Sequence, residues 1–125
     1  MGGSPPYRKV LIIENDPHAR NILYVLLAGM GCEGEVAHGF PNALARISKE
    51  SFDAVMLDLQ CSETSPEHAI SQIKKLQPSL VGRVLVITGD VTSPDILDTI
   101  ERQCLPQVRR RDITKNLRTV LKSLF

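Results

Sequence analysis

A three-layer α/β domain, with helices on both faces of a parallel sheet, is the fold this sequence predicts. Three observations carry that reading. Apolar runs at residues 10–13 (Val-Leu-Ile-Ile), 54–57 (Ala-Val-Met-Leu) and 84–87 (Val-Leu-Val-Ile) show no polar alternation, so they read as strands covered on both faces. Asp16-Pro17, Ser65-Pro66 and Ser93-Pro94 repeat one helix-start signal, a capping residue followed by proline. Strand-like and helix-like segments then alternate five times over, and right-handed crossovers between parallel strands place helices on both sides.

The elements follow in order. The first strand is the 10–13 run, and the helix opened by Asp16-Pro17 extends to about Met30. Ile22, Leu23, Leu26, Leu27 and Met30 form its apolar stripe, and Gly29 and Gly31 mark its end. A weaker second strand lies near Glu35-Val36-Ala37, followed by a short helix from Asn42 to Ser48 with Leu44 and Ile47. The 54–57 run is the third strand, and the helix opened by Ser65-Pro66 carries Ile70, Ile73 and Leu76. The 84–87 run is the fourth, and the next helix carries Ile96, Leu97 and Ile100. A polar fifth strand at 107–110 (Gln-Val-Arg-Arg) suits a sheet edge. Leu117, Val120, Leu121 and Leu124 define the last helix.

Composition narrows the function classes. The 125 residues are expected to form one domain without a second, and a hydrophobic content of 42% supplies one core. Residues 1–7 read as a flexible lead-in and 8–125 as the domain. The net charge of +1 gives no global field toward nucleic acid. The end of the chain is locally basic: Arg109, Arg110, Arg111, Lys115, Arg118 and Lys122 face one acid, Asp112. Lys115, Arg118 and Lys122 read as a solvated helix face, so nucleic-acid contact is not expected. No apolar run approaches the ~18 residues of a membrane span, and the start lacks the pattern of a signal peptide. Cys32, Cys61 and Cys104 are far apart and odd in number, which argues for reduced thiols of a cytoplasmic protein. His18, His38 and His68 share no metal spacing and read as surface residues.

Ligands of open α/β sheets bind at the carboxyl ends of the strands. There the sequence places Glu14-Asn15-Asp16, Asp58, Thr88-Gly89-Asp90 and Arg109 to Arg111. Acids, a hydroxyl and a cation at one rim suit a divalent metal and a phosphoryl group. Each has a plainer reading. Asp58 alone is a strand-end turn residue, Asp16 a helix cap, Thr88 a β-branched strand filler, and the arginine run a solvated edge.

These stretches resemble a known family. Residues 12–17 (Ile-Ile-Glu-Asn-Asp-Pro) are similar to the acidic-pair segment of response-regulator receiver domains. Residues 52–59 (Phe-Asp-Ala-Val-Met-Leu-Asp-Leu) resemble the acceptor strand, and 84–89 (Val-Leu-Val-Ile-Thr-Gly) the hydroxyl strand. The similarity spans about Lys9 to Leu124, and Thr88 follows Asp58 by 30 positions, as in the family. The stretch from Thr88 to Leu121 most resembles receivers attached to hybrid histidine kinases.

The resemblance implies a flavodoxin-like (βα)5 fold with strand order 2-1-3-4-5. It implies bacterial two-component phosphorelay signalling and no enzymatic activity beyond self-phosphorylation and autodephosphorylation. Asp58 would accept a phosphoryl group from a histidine kinase or phosphotransfer protein. Glu14, Asn15, Asp58 and the carbonyl of Gln60 would hold Mg²⁺. Thr88 would bond a phosphoryl oxygen, and Arg110 would fill the family's lysine position, with Arg111 a one-residue alternative. The family often dimerises through its fourth helix, fifth strand and fifth helix; the polar fifth strand leaves a homodimer undecided.

Departures from the pattern support a rival reading. Asn15 replaces an acid, which should weaken the metal. Arginine replaces a compact ammonium by a planar fork. Gln107 stands where an aromatic switch residue is frequent, and residues 60–65 (Gln-Cys-Ser-Glu-Thr-Ser) replace a proline-glycine turn. The rival is a degenerate receiver, acting as a phosphorylation-independent protein-interaction module. Other classes fit poorly. A haloacid-dehalogenase-type phosphatase needs Asp-x-Asp where this chain has Asp58-Leu59-Gln60. A nucleotide or flavin site wants a glycine-rich first loop.

Overall fold

The computed structural model describes residues 7–125. The expected lead-in, apart from Tyr7, lies outside the described residues. The chain runs β1 (Arg8–Ile13), α1 (Pro17–Gly29), β2 (Cys32–Val36), α2 (Phe40–Ile47), β3 (Ala54–Leu57), α3 (Pro66–Leu76), β4 (Val84–Thr88), α4 (Pro94–Arg102), β5 (Gln107–Arg109) and α5 (Ile113–Lys122). The strands form the one parallel sheet that the apolar runs predict, in the order β2-β1-β3-β4-β5 that the resemblance implies.

The unbroken apolar strands explain the layering. Alternate side chains leave opposite faces of a strand. Leu11 and Ile13 of β1 therefore join Val55, Leu57, Val84 and Val86 in one core, covered by Phe40, Ala43 and Ile47 of α2, Ala69, Ile70 and Ile73 of α3, and Ile96 and Ile100 of α4. Val10 and Ile12 join Ala54, Met56, Leu85 and Ile87 on the other face, covered by Ala19, Leu23 and Leu27 of α1 and by Ile113, Leu117 and Leu121 of α5. A half-polar β3 or β4 would expose unpaired groups to one of these layers, which is why neither tolerates alternation.

The helix starts fall at the expected residues. The Asp16 carboxylate accepts from the His18 N–H (3.2 Å), the Ser65 hydroxyl from the His68 N–H (3.2 Å) and the Ser93 hydroxyl from the Ile96 N–H (3.3 Å). Gly31 ends the first helical segment with φ +74, a conformation that an L side chain resists.

Several boundaries differ from expectation. β2 begins at Cys32, because its pairing with Arg8 and Lys9 of β1 extends the strand through the polar Glu33 and Gly34. Ala37 falls just beyond it. α2 begins at Phe40, whose burial the apolar pattern of Leu44 and Ile47 did not reveal. β5 stops at Arg109, and Arg110 opens a 3-10 turn. Leu76 and Leu97, expected on buried stripes, are 43% and 48% exposed, since each lies on the flank of its helix. No helix among the described residues is long and apolar enough to cross a membrane.

Candidate functional site

The strand order reverses at β1, with β2 on one side and β3 on the other. The carboxyl ends of β1 and β3 therefore flank the crevice where such sheets take ligands. Glu14 immediately follows β1 and is 2% exposed; Asp58 immediately follows β3 and is 4% exposed. Burial of this depth for two acids requires a partner.

Arg110 is that partner. Its Nη2 donates to Glu14 Oε1 at 2.8 Å and to Asp58 Oδ2 at 2.5 Å, and its Nε donates to Glu14 Oε2 at 3.3 Å. One planar fork thus bridges residues 96 and 52 positions away in sequence. Arg110 reaches them because β5 ends at Arg109 and the 3-10 turn directs the next side chain back over the strand ends. Arg111, the alternative, is exposed and stands 3.8 Å from Asp90. Remaining acceptors are filled locally: the Asp16 N–H donates to Glu14 Oε1 (3.0 Å), and the Gln60 N–H donates to Asp58 Oδ1 (2.9 Å). Asp58 thereby also caps a 3-10 turn, Leu59–Cys61, as its plainer reading expects.

Burial pushes the Asp58 carboxyl above its ordinary range, and neighbouring Glu14 adds to this. The Gln60 N–H and Arg110 pull the other way. The hydrogen bond to Glu14 holds Arg110 firmly protonated. Cys61 packs beside the site, its thiol 4.0 Å from the Ile13 carbonyl oxygen. Burial, then the Asp58 charge, push that thiol up to about 12, so it is inert as a nucleophile.

The other expected site residues sit around this core. Thr88 ends β4, is 4% exposed, and is paired in register with Arg109. Asn15 and Gln60 are exposed at the rim. The structure brings Glu14, Asp58 and Arg110 into direct contact; the Asn15 and Gln60 side chains form no hydrogen bond with them. Among the described residues, no three His, Cys, Asp or Glu side chains cluster as a metal site. Two buried carboxylates, an amide and a backbone carbonyl are nonetheless hard oxygen donors, and that chemistry fits Mg²⁺.

Sequence reasoning missed the cleft beside Arg110. Asp16, His18, Ile22, Gly89, Asp90 and Thr114 help line a space of about 470 Å³ that the guanidinium borders. It forms where loops from three strands meet the starts of α1 and α5, a juxtaposition that no local pattern encodes.

Comparison with known proteins agrees with this fold. The family model of the response regulator receiver domain matches residues 10–119. The chain is similar to the transcriptional regulatory protein ZraR of Salmonella typhimurium, 29% identical over 80 residues, which is 64% of this chain and 18% of that protein. ZraR of Klebsiella oxytoca matches to the same extent, so the chain spans under a fifth of the length of these relatives. The fold is similar to that of a CheY-like receiver domain protein from Methanospirillum hungatei JF-1, with a TM-score of 0.74, 18% identity and coverage of 95% of this chain and 97% of that one. It is also similar to CheY4 of Vibrio cholerae, with a TM-score of 0.70, 20% identity and coverage of 93% and 100%.

Proposed function

This chain belongs to the response regulator receiver domain family, a signalling family of two-component systems, and on that premise we propose that Asp58 is its phosphoryl acceptor. One observation carries the assignment: the side chains that follow β1 and β3 converge on a single nitrogen, Arg110 Nη2, supplied from the end of β5. An acid at a turn needs no such company. An acid awaiting a dianionic group does.

In this reading the Asp58 carboxylate attacks the phosphorus of a phosphohistidine on a histidine kinase or phosphotransfer protein. An O–P bond forms, the N–P bond breaks, and the electron pair leaves with the imidazole nitrogen. The Arg110 fork, released from Asp58, would pair with phosphoryl oxygens as it now pairs with carboxylates. The Thr88 hydroxyl, buried at the adjacent strand end, would donate to another. Burial excludes water from the acyl phosphate. Glu14, Asn15, Asp58 and the Gln60 carbonyl would hold Mg²⁺, which when bound neutralises charge on the transferring group. Such chemistry belongs to the cytoplasm, where kinase partners reside.

Intact mass after incubation with acetyl phosphate and Mg²⁺ tests this. The expected result is one added phosphoryl group, absent in Asp58→Ala and absent in excess EDTA. An unmodified mass at saturating Mg²⁺ would remove the acceptor role and leave the phosphorylation-independent interaction module.

A further inference from the structure

We infer that Arg110 is a displaceable internal counter-ion, which a divalent cation must evict from Glu14 and Asp58 before it can bind. This rests on reading the pocket as the cation site of a phosphoacceptor. It concerns what holds that site when the metal is absent.

The first argument is occupancy. Arg110 touches three of the four carboxylate oxygens of Glu14 and Asp58. The fourth, Asp58 Oδ1, accepts from the Gln60 N–H. Mg²⁺ demands oxygens at about 2.0–2.1 Å in near-octahedral array. A guanidinium and a dication cannot both claim the same lone pairs at contact distance.

The second argument is charge. Two carboxylates and one guanidinium leave the pocket with a single net negative charge. A dication added with Arg110 in place would make it net positive, beside side chains that are only 0% and 6% exposed. Departure of the guanidinium makes the same pocket neutral. Electrostatics therefore couples cation entry to arginine exit.

The third argument is an exit. The Arg110 side chain is 31% exposed, unlike the acids that it joins. It borders the cleft of about 470 Å³ that Asp16 and Asp90 also line. The guanidinium can turn toward those acids without leaving an unpaired charge. A lysine would hold the pocket less firmly, because one ammonium cannot reproduce the fork on both Glu14 oxygens.

Titration calorimetry with MgCl₂ and MnCl₂, without any phosphodonor, tests the inference on the whole chain. Wild type, Arg110→Lys, Arg110→Ala and the double variant Arg110→Ala with Glu14→Gln are compared. Arg110→Ala is expected to bind roughly tenfold or more tightly than wild type, with Arg110→Lys between them and the gain lost in the double variant. Should Arg110→Ala fail to fold without metal, Arg110→Lys against wild type decides the matter. Affinities within twofold across the variants, or weaker binding without Arg110, would overturn the inference. Because no phosphoryl group is involved, a chain that never forms an adduct can still show the gain. An adduct-forming chain can equally fail to show it, so the two ideas fail separately.

Discussion

Asp58 carries opposing demands. As a nucleophile it must be ionised, yet burial raises its carboxyl above the ordinary 3.8, and only the Gln60 N–H and Arg110 counteract this. A carboxyl whose folded-state pKa is raised binds its proton more tightly in the folded chain. Its contribution to stability is fully present below the unfolded value and is lost as pH rises through the folded value. At neutral pH, ionised Asp58 therefore costs stability. Asp58→Asn keeps the shape, leaves one oxygen where Arg110 and the Gln60 N–H address two, and removes the buried charge. We expect Asp58→Asn to melt above wild type at pH 7, with the gap closing as pH falls toward about 4. A variant that melts lower at pH 7 would mean that attraction to Arg110 outweighs desolvation.

Whole elements differ in how openly the sequence declares them. The starts of α1, α3 and α4 were legible because a cap and a proline act within three residues of one another. Ser93→Ala should accordingly cost about 1 kcal/mol in urea unfolding. The packing of α2 against α3 was not legible, for its key polar residue works at long range. Gln77, at the carboxyl end of α3, accepts from the Phe52 N–H (2.8 Å) and donates to the carbonyls of Ile47 (2.9 Å) and Glu50 (2.7 Å). One amide thus satisfies backbone groups where α2 ends and the chain turns into β3. Nothing around Gln77 in sequence signals partners so distant. Gln77→Ala should cost about 2–3 kcal/mol, because it strands partly buried backbone groups, and urea titration would measure it. A loss under about 0.5 kcal/mol would mean that water replaces the amide at no cost.

At the scale of the molecule, buried or half-buried charge gathers in two clusters. Strand ends made Glu14, Asp58 and Thr88 readable, because each directly follows an apolar run. The choice between Arg110 and Arg111 was not readable, since it depends on where a three-residue strand breaks into a turn. Away from that rim lies a second charge cluster, which the functional reading does not use. Lys9 pairs with Glu50 at 2.9 Å and Glu35 at 3.5 Å, and Arg46 pairs with both acids. The cluster joins β1, β2 and the end of α2, and its cations also lie over the Phe52 ring. Hydrogen bonds from Arg46, then Lys9, pull the Glu50 carboxyl down to about 2. A depressed carboxyl contributes stability above its unfolded value, near 4.5, and loses it as pH falls toward about 2. The pairs are partly solvated, so the contribution is modest and weakens with salt. Glu50→Gln should therefore be less stable than wild type above pH 4.5 and converge with it near pH 2. Denaturant midpoints measured across that window at low salt check this. A constant gap across the window would assign Glu50 a packing role instead of an electrostatic one.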